Sequence, residues 1–191
     1  MKKIVLTFGL ISGAIISALM FATVPFMHKI GMNKGMIIGY TTMVLAFLLV
    51  FFGIRSYREN IGEGRISFGR AVSVGLLIML IGCACYVISW EFIYFNFMPD
   101  FAEKYAAFVI ENMRANGASP AELAQKMAEM KRFQVMYNNI FFNVAMTFLE
   151  PLPVGLIMTF ISALILRRGR KDLQEGQDEV KGNPVNQVNP V

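Results

Sequence analysis

Histidine occurs once in this 191-residue chain, cysteine twice and tryptophan once, and only 16% of the residues are charged. Each scarcity excludes something. A protein metal site draws on three or four donors, so the single histidine, His28, lying at the edge of an apolar run, reads as a solvated bystander. No metal and no cofactor are expected. Cys83 and Cys85 stand two residues apart inside an apolar stretch. On a helix that spacing turns them about 200° apart. They cannot bond each other or grip one ion from one face, and they read as core packing. No nucleophile–histidine pair is visible, and the glycine-rich spots lie inside apolar runs or in a loop with no following lysine, which excludes a phosphate-binding loop. An enzyme is not expected.

The shortage of charge sets the class. Soluble domains carry about 25% charged residues, whereas this chain is 55% hydrophobic and has too few polar side chains to cover a soluble surface. What it has instead is four apolar blocks, at residues 4–27, 36–54, 71–98 and 140–166, each at or above the roughly 18 residues that span a bilayer. The fold class is therefore all-α: a four-helix transmembrane bundle, with an extracytoplasmic amphipathic αα-hairpin at residues 100–137 between spans three and four. Residues 1–171 form one membrane domain. The 172–191 tail is polar, repeats Asn-Pro-Val, has nothing to bury and is expected to be disordered. The first block follows Met1-Lys2-Lys3 but is longer than a signal-peptide core, and no Ala-x-Ala pattern follows it, so it is expected to be an uncleaved span.

Small residues recur every four positions at Gly9, Gly13 and Ser17, and again at Gly31, Gly35 and Gly39. That spacing lets helix backbones approach closely. It predicts a tight contact between the first two spans, and a homodimer through the Gly9–Gly13–Ser17 face is compatible with it. Ser67 is a candidate N-cap for the third span. In the insert, Phe101, Tyr105, Phe108 and Met113 make one apolar stripe and Leu123, Met127, Met130 and Tyr137 another. Asn116-Gly117 ends the first insert helix. Ser119-Pro120-Ala121-Glu122 opens the second with a capping box and a proline at its first position. The insert is charge-neutral, which favours a lid packed on the bundle or lying at the interface over a basic lipid-binding face.

Eleven lysines and arginines fall on the side of the termini and the loop at 55–70, against seven on the other. The eleven crowd the span ends, where they set orientation most strongly. Both termini are therefore expected in the cytoplasm. Arg55, Arg58, Arg65, Arg70, Arg167, Arg168, Arg170 and Lys171 form a cytoplasmic belt within reach of anionic lipid headgroups. The same placement beside apolar blocks argues against nucleic acid, leaving the lipid bilayer as the evident partner.

Two carboxylates lie within spans. Glu91 is about seven residues from the outer end of its span and Glu150 about ten from the outer end of its own, depths of roughly 10 and 15 Å. A charge at mid-membrane costs roughly 2.5–3.5 kcal/mol on the insertion scale, so intramembrane acids are functional candidates by default. Pro151 and Pro153 withhold backbone donors and should kink the fourth span at Glu150, and broken spans with a charged group at the break occur at transporter ion sites. The candidate site is Glu91, Glu150, Tyr94, Asn96 and Asn143. The preferred reading makes these acids hydrogen-bonded glue between helices. A proton- or cation-handling site and a small-ligand pocket are the alternatives. Trp90, Tyr94 and the flanking phenylalanines read mainly as an outer aromatic belt.

The stretch Ile66-Ser67-Phe68-Gly69-Arg70-Ala71, preceded by Tyr57-Arg58-Glu59 and followed by Trp90-Glu91, resembles a bacterial family of integral membrane proteins grouped as domain of unknown function 4199. The resemblance extends to Arg170 and takes in the insert and the Glu150-Pro151 break. It implies a four-helix domain in a bacterial inner membrane and carries no activity, substrate or catalytic residue. The functional expectation is thus a non-enzymatic membrane or envelope module, with a small proton- or cation-coupled carrier using the Glu91–Glu150 pair as the alternative.

Overall fold

The computed structural model describes residues 1–167, and every regular element among them is helical. Arg168, Arg170 and Lys171 of the basic belt, and the 172–191 tail, lie outside the described residues. The chain runs through α1 (Lys2–Thr23), a short 3₁₀ turn (Val24–Phe26), α2 (Met27–Ile30), α3 (Met32–Asn60), α4 (Phe68–Phe97), α5 (Phe101–Ala115), α6 (Pro120–Tyr137), α7 (Ile140–Leu149) and α8 (Leu152–Leu166). Four stretches are long and apolar enough to cross a membrane: Lys2–Phe26, Met32–Asn60, Phe68–Phe97 and Ile140–Leu166. At 1.5 Å per residue, the 30 residues of α4 span about 45 Å, well beyond a hydrocarbon layer of about 30 Å. The helices outrun their apolar blocks because, once nucleated, each further residue adds a backbone hydrogen bond whatever its side chain.

The bundle is built around α3 and α4. These pack on each other, α1 lies against both, and α8 lies against both, while α7 continues along α4. Sequence patterning alone does not assign these neighbours; the fit of larger side chains into notches left by small residues does. The Phe47 ring of α3 is fully buried and fits over Gly82 of α4 and Gly155 of α8. Ile78 of α4 fills the notch left by Gly53 of α3, and Thr159 of α8 reaches the notch at Gly75 of α4. Where lipid is as apolar as leucine, this packing, rather than water exclusion, is what holds spans together.

The two four-residue glycine patterns meet different fates. Gly9 and Gly13 do sit in a close contact, but it is with α4: a β-carbon on Gly9 would lie 2.8 Å from Ile81 Cβ, and one on Gly13 would lie 2.6 Å from Cys85 Cβ. Ser17 completes the seam by accepting a 2.7 Å hydrogen bond from the Ser89 hydroxyl. The first and second spans also touch, tied by Ser12 Oγ donating to the Ala46 carbonyl at 3.0 Å. The Gly9–Gly13–Ser17 face is thus filled within the chain, and a homodimer would have to use another surface. Gly31, Gly35 and Gly39 form no close helix contact. Gly31 breaks the chain between α2 and α3 with φ 74°, a β-carbon on Gly39 would meet nothing within 4 Å, and one on Gly35 would meet only Met27. A repeat of small residues makes a notch; nothing in it dictates that a helix fills the notch.

Local start signals are obeyed. Ser67 Oγ accepts from the Arg70 amide at 3.4 Å and opens α4, and the Asn139 side chain accepts from the Phe141 and Phe142 amides to open α7. At α6, Ser119 Oγ accepts from the Glu122 amide at 3.3 Å while the Ser119 amide donates to Glu122 Oε2 at 2.8 Å, the reciprocal pair of a capping box. Hydrogen bonds from the Ser119 hydroxyl and amide hold the Glu122 carboxyl below its ordinary range. A depressed carboxylate contributes stability that is present above its unfolded value and lost as pH falls through the folded one. The helicity of α6 should therefore be level above about pH 4.5 and decline below it, and Ser119→Ala should remove about 1 kcal/mol of local stability together with that acid-dependent step. Amide exchange across residues 119–125, followed against pH, checks both.

At the other end of the bundle, Arg58 donates to the Leu166 carbonyl at 3.4 Å, closing the C-terminus of α8, and shares Glu59 with Arg55. A guanidinium at a helix C-terminus is favourably placed against the helix dipole. Arg58 is thus tied to the fold, whereas Arg55, Arg65, Arg70 and Arg167 are exposed.

Candidate functional site

The fourth span breaks where its prolines stand. α7 ends at Leu149, Glu150 and Pro151 form the junction, and α8 resumes at Leu152 with Pro153 in its first turn. Pro151 and Pro153 cannot donate to the carbonyls one turn earlier, so the helix divides instead of bending smoothly. The division turns Glu150 toward α4, where Tyr86 donates its hydroxyl proton to Glu150 Oε2 at 2.7 Å. Tyr86 is itself almost completely buried.

Along α4, Tyr86, Trp90 and Tyr94 follow at four-residue steps and so share one face. Trp90 donates its indole N–H to the Tyr137 hydroxyl at 2.9 Å. Tyr94 donates to the Asn138 side-chain oxygen at 2.8 Å and is 3% exposed. Phe101 stands edge-on to Trp90 with centroids 4.8 Å apart, and Tyr137 and Phe133 pack at 5.1 Å. These rings form a second core that joins the insert to the end of the bundle. Trp90 and Tyr94 are therefore not a lipid-facing belt. The exposed rings toward the C-terminal end of α4 are Phe92, Phe95 and Phe97. On α6 the inward positions likewise include Phe133, which the stripe through Met127 omits, while Met127 faces outward at 56% exposure.

The five candidate residues do not assemble into one hydrogen-bonded site. Asn96 is exposed and returns its amide to the Phe92 carbonyl of its own helix. Asn143 is completely buried on α7; its oxygen accepts from the Thr147 hydroxyl at 3.1 Å, and its amide nitrogen has no partner. Both Glu91 carboxyl oxygens are buried without a hydrogen bond, as is the Thr159 hydroxyl. Glu91 and Glu150 do not hydrogen-bond each other. Neither is hydrogen-bonded to Tyr137, though both carboxyls add slightly to the upward push on its phenol. Burial pushes Tyr137 up to about 12, against a smaller opposing effect of the Trp90 hydrogen bond, so it keeps its proton throughout the physiological range.

Glu150 borders a cavity of about 170 Å³. Tyr86, Trp90, Phe101 and Tyr137 line it from α4 and the insert, and methionines from α1, α2 and α3 line it as well. Gly35 and Gly39 also border it, so the side chains missing there are part of what leaves the space. The residues that matter most here are Tyr86, which the span-by-span reading passes over, and Trp90 and Tyr137, which it places in an interfacial belt and an insert stripe instead of at the site. The four-residue step from Tyr86 to Trp90 was the available signal. Among the described residues, no group of three or more histidine, cysteine, aspartate or glutamate side chains is placed to hold a metal ion.

Compared with known proteins, residues 7–168 match the model of a family described as "Protein of unknown function (DUF4199)". No curated protein and no solved structure matches the chain.

Proposed function

For this chain, which belongs to that family of unknown function, we propose the role of a non-enzymatic module of a bacterial cytoplasmic membrane. Both termini lie in the cytoplasm, and α5 and α6 form an extracytoplasmic hairpin that caps the bundle. The observation that carries this reading is the asymmetry of α4. Its N-terminal end meets the arginine-rich loop, and its C-terminal end carries Trp90 and Tyr94, which are hydrogen-bonded to Tyr137 and Asn138. Basic residues favour the cytoplasmic face, while a neutral polar pair of helices fastened by aromatic side chains suits a docked lid. The exposed Arg55, Arg65, Arg70 and Arg167 supply the belt that meets anionic lipid, each contributing on the order of 1 kcal/mol. A carrier built on a Glu91–Glu150 pair draws no support from this geometry, because the two acids have no hydrogen bond to each other and Glu150 is engaged by Tyr86.

Topology is the decisive measurement. A reporter that works only in the cytoplasm should be active when fused after Val191 and silent when inserted at Ala118. Activity at Ala118 with silence at Val191 would invert the orientation and remove the lid from the outer face.

A further inference from the structure

The cavity beside Glu150 has a chemistry that the role of a membrane module does not use. Its volume, about 170 Å³, is comparable to the roughly 150 Å³ apolar cavity that admits benzene in a well-studied engineered core. It is not uniformly apolar. One carboxylate, Glu150, lies among its walls, and no lysine or arginine lines it or forms an ion pair with Glu150 among the described residues. Its aromatic lining residues are Tyr86, Trp90, Phe101 and Tyr137.

We propose that this cavity binds a small organic cation, an ammonium group carrying methyl or short alkyl substituents. The faces of aromatic rings attract a cation whose charge is spread over apolar substituents, and several rings around one position are the usual recognition device for quaternary ammonium. Glu150 supplies the opposite charge. Tyr86 fixes the carboxyl by donating to Oε2, and Trp90 is fixed by its bond to Tyr137, so the rings and the acid are ordered before anything binds. Such preorganisation reduces the cost of binding. The methionines that complete the lining are apolar and adaptable, suited to alkyl substituents of varied shape. A bare divalent ion fits less well, since hard cations take six or more oxygen ligands, and one carboxylate with the side-chain hydroxyls of Tyr86, Tyr137, Thr23 and Thr42 falls short of that.

Trp90 is the only tryptophan in the chain and lines the cavity, so its fluorescence reports on occupancy directly. The full chain, purified in a maltoside detergent that carries no ammonium group, would be titrated with choline and with the neutral alcohol in which carbon replaces the nitrogen. Choline should give a saturable change in Trp90 emission, and the neutral isostere should bind at least roughly tenfold more weakly. Glu150→Gln should weaken choline by a similar factor, whereas Glu150→Asp retains most of the binding. Gly39→Leu, at a position with nothing within 4 Å of a new β-carbon, should fill the space and abolish the signal. Equal affinity for choline and its neutral isostere would overturn the proposal, as would the absence of saturable choline binding in both fluorescence and equilibrium dialysis. Unchanged binding by Glu150→Gln would overturn it as well. If the Glu150 variants do not fold, the isostere comparison on the unaltered chain decides alone. None of these outcomes depends on which way the chain faces in the membrane.

Discussion

Gly13→Leu should unseat α1 from α4 and cost the bundle roughly 3 kcal/mol or more, at the upper end of what overpacking does in a close-packed interior. A β-carbon alone on Gly13 would already overlap Cys85, lying 2.6 Å from its Cβ, and a leucine adds three more carbons in the same direction. The neighbours cannot yield: Gly9 against Ile81 and Ser17 against Ser89 hold the same seam at the turns on either side. Moving α1 outward would sacrifice all three contacts together and the Ser12–Ala46 hydrogen bond to α3 with them. A compensating change makes the assignment specific. Gly13→Ala alone should destabilise by about 1–3 kcal/mol, and combining it with Cys85→Gly, which vacates the occupied position, should recover at least half of that loss. Gly39→Leu is the control, since nothing lies within 4 Å of its added β-carbon, and its stability should stay close to the parent's. Unfolding in a graded detergent mixture, followed by circular dichroism, measures all four. If Gly13→Leu unfolds where the parent does, the close approach of α1 to α4 is wrong.

The contrast between Gly13 and Gly39 also marks where reading the chain stops and the fold begins. Crossing a membrane is a property of one segment: enough consecutive apolar residues suffice, so the four spans are legible without knowing their neighbours. Helix starts are nearly as local, because Ser67 and Ser119 satisfy amides three residues ahead. Pairing is different. Gly9–Gly13 and Gly35–Gly39 have the same spacing, yet one is filled by α4 and the other borders a cavity. The difference lies in which helix arrives, and that depends on Phe47, Ile78 and Thr159 fitting notches elsewhere. Glu91 and Glu150 show the same limit. Counting residues from a span end gives depth but not the direction around the helix axis, so two acids at similar depths need not meet. Trp90 and Tyr94 resemble interfacial anchors by their position near a span end. Their partners, Tyr137 and Asn138, stand more than forty positions away in the chain, beyond the reach of any local pattern.

Tyr137→Ala should release α5 and α6 from the end of the bundle while leaving the four spans assembled. The insert is attached at few points. Tyr137 is the one buried residue of α6, and its ring meets Tyr94, Phe101 and Phe133 at centroid separations of 5.4, 6.2 and 5.1 Å. Removing an aromatic side chain from such a cluster costs about 3–5 kcal/mol, and here the Trp90 indole N–H loses its acceptor as well. Tyr137→Phe keeps the ring and loses only the hydroxyl, so it should cost about 1 kcal/mol. A local opening of this kind accelerates amide exchange in the released segment without touching the rest. Exchange should therefore rise across α5 and α6 in the alanine variant, remain slow in α3 and α4, and change little in the phenylalanine variant. Trp90 emission should shift to the red in the alanine variant as its environment becomes wetter. Uniform acceleration through all helices would mean that the aromatic cluster holds up the whole bundle, and unchanged exchange in α5 and α6 would mean that it does not hold the insert. Only acceleration confined to the insert fits α5 and α6 held mainly by a tyrosine that is hydrogen-bonded to Trp90 of α4.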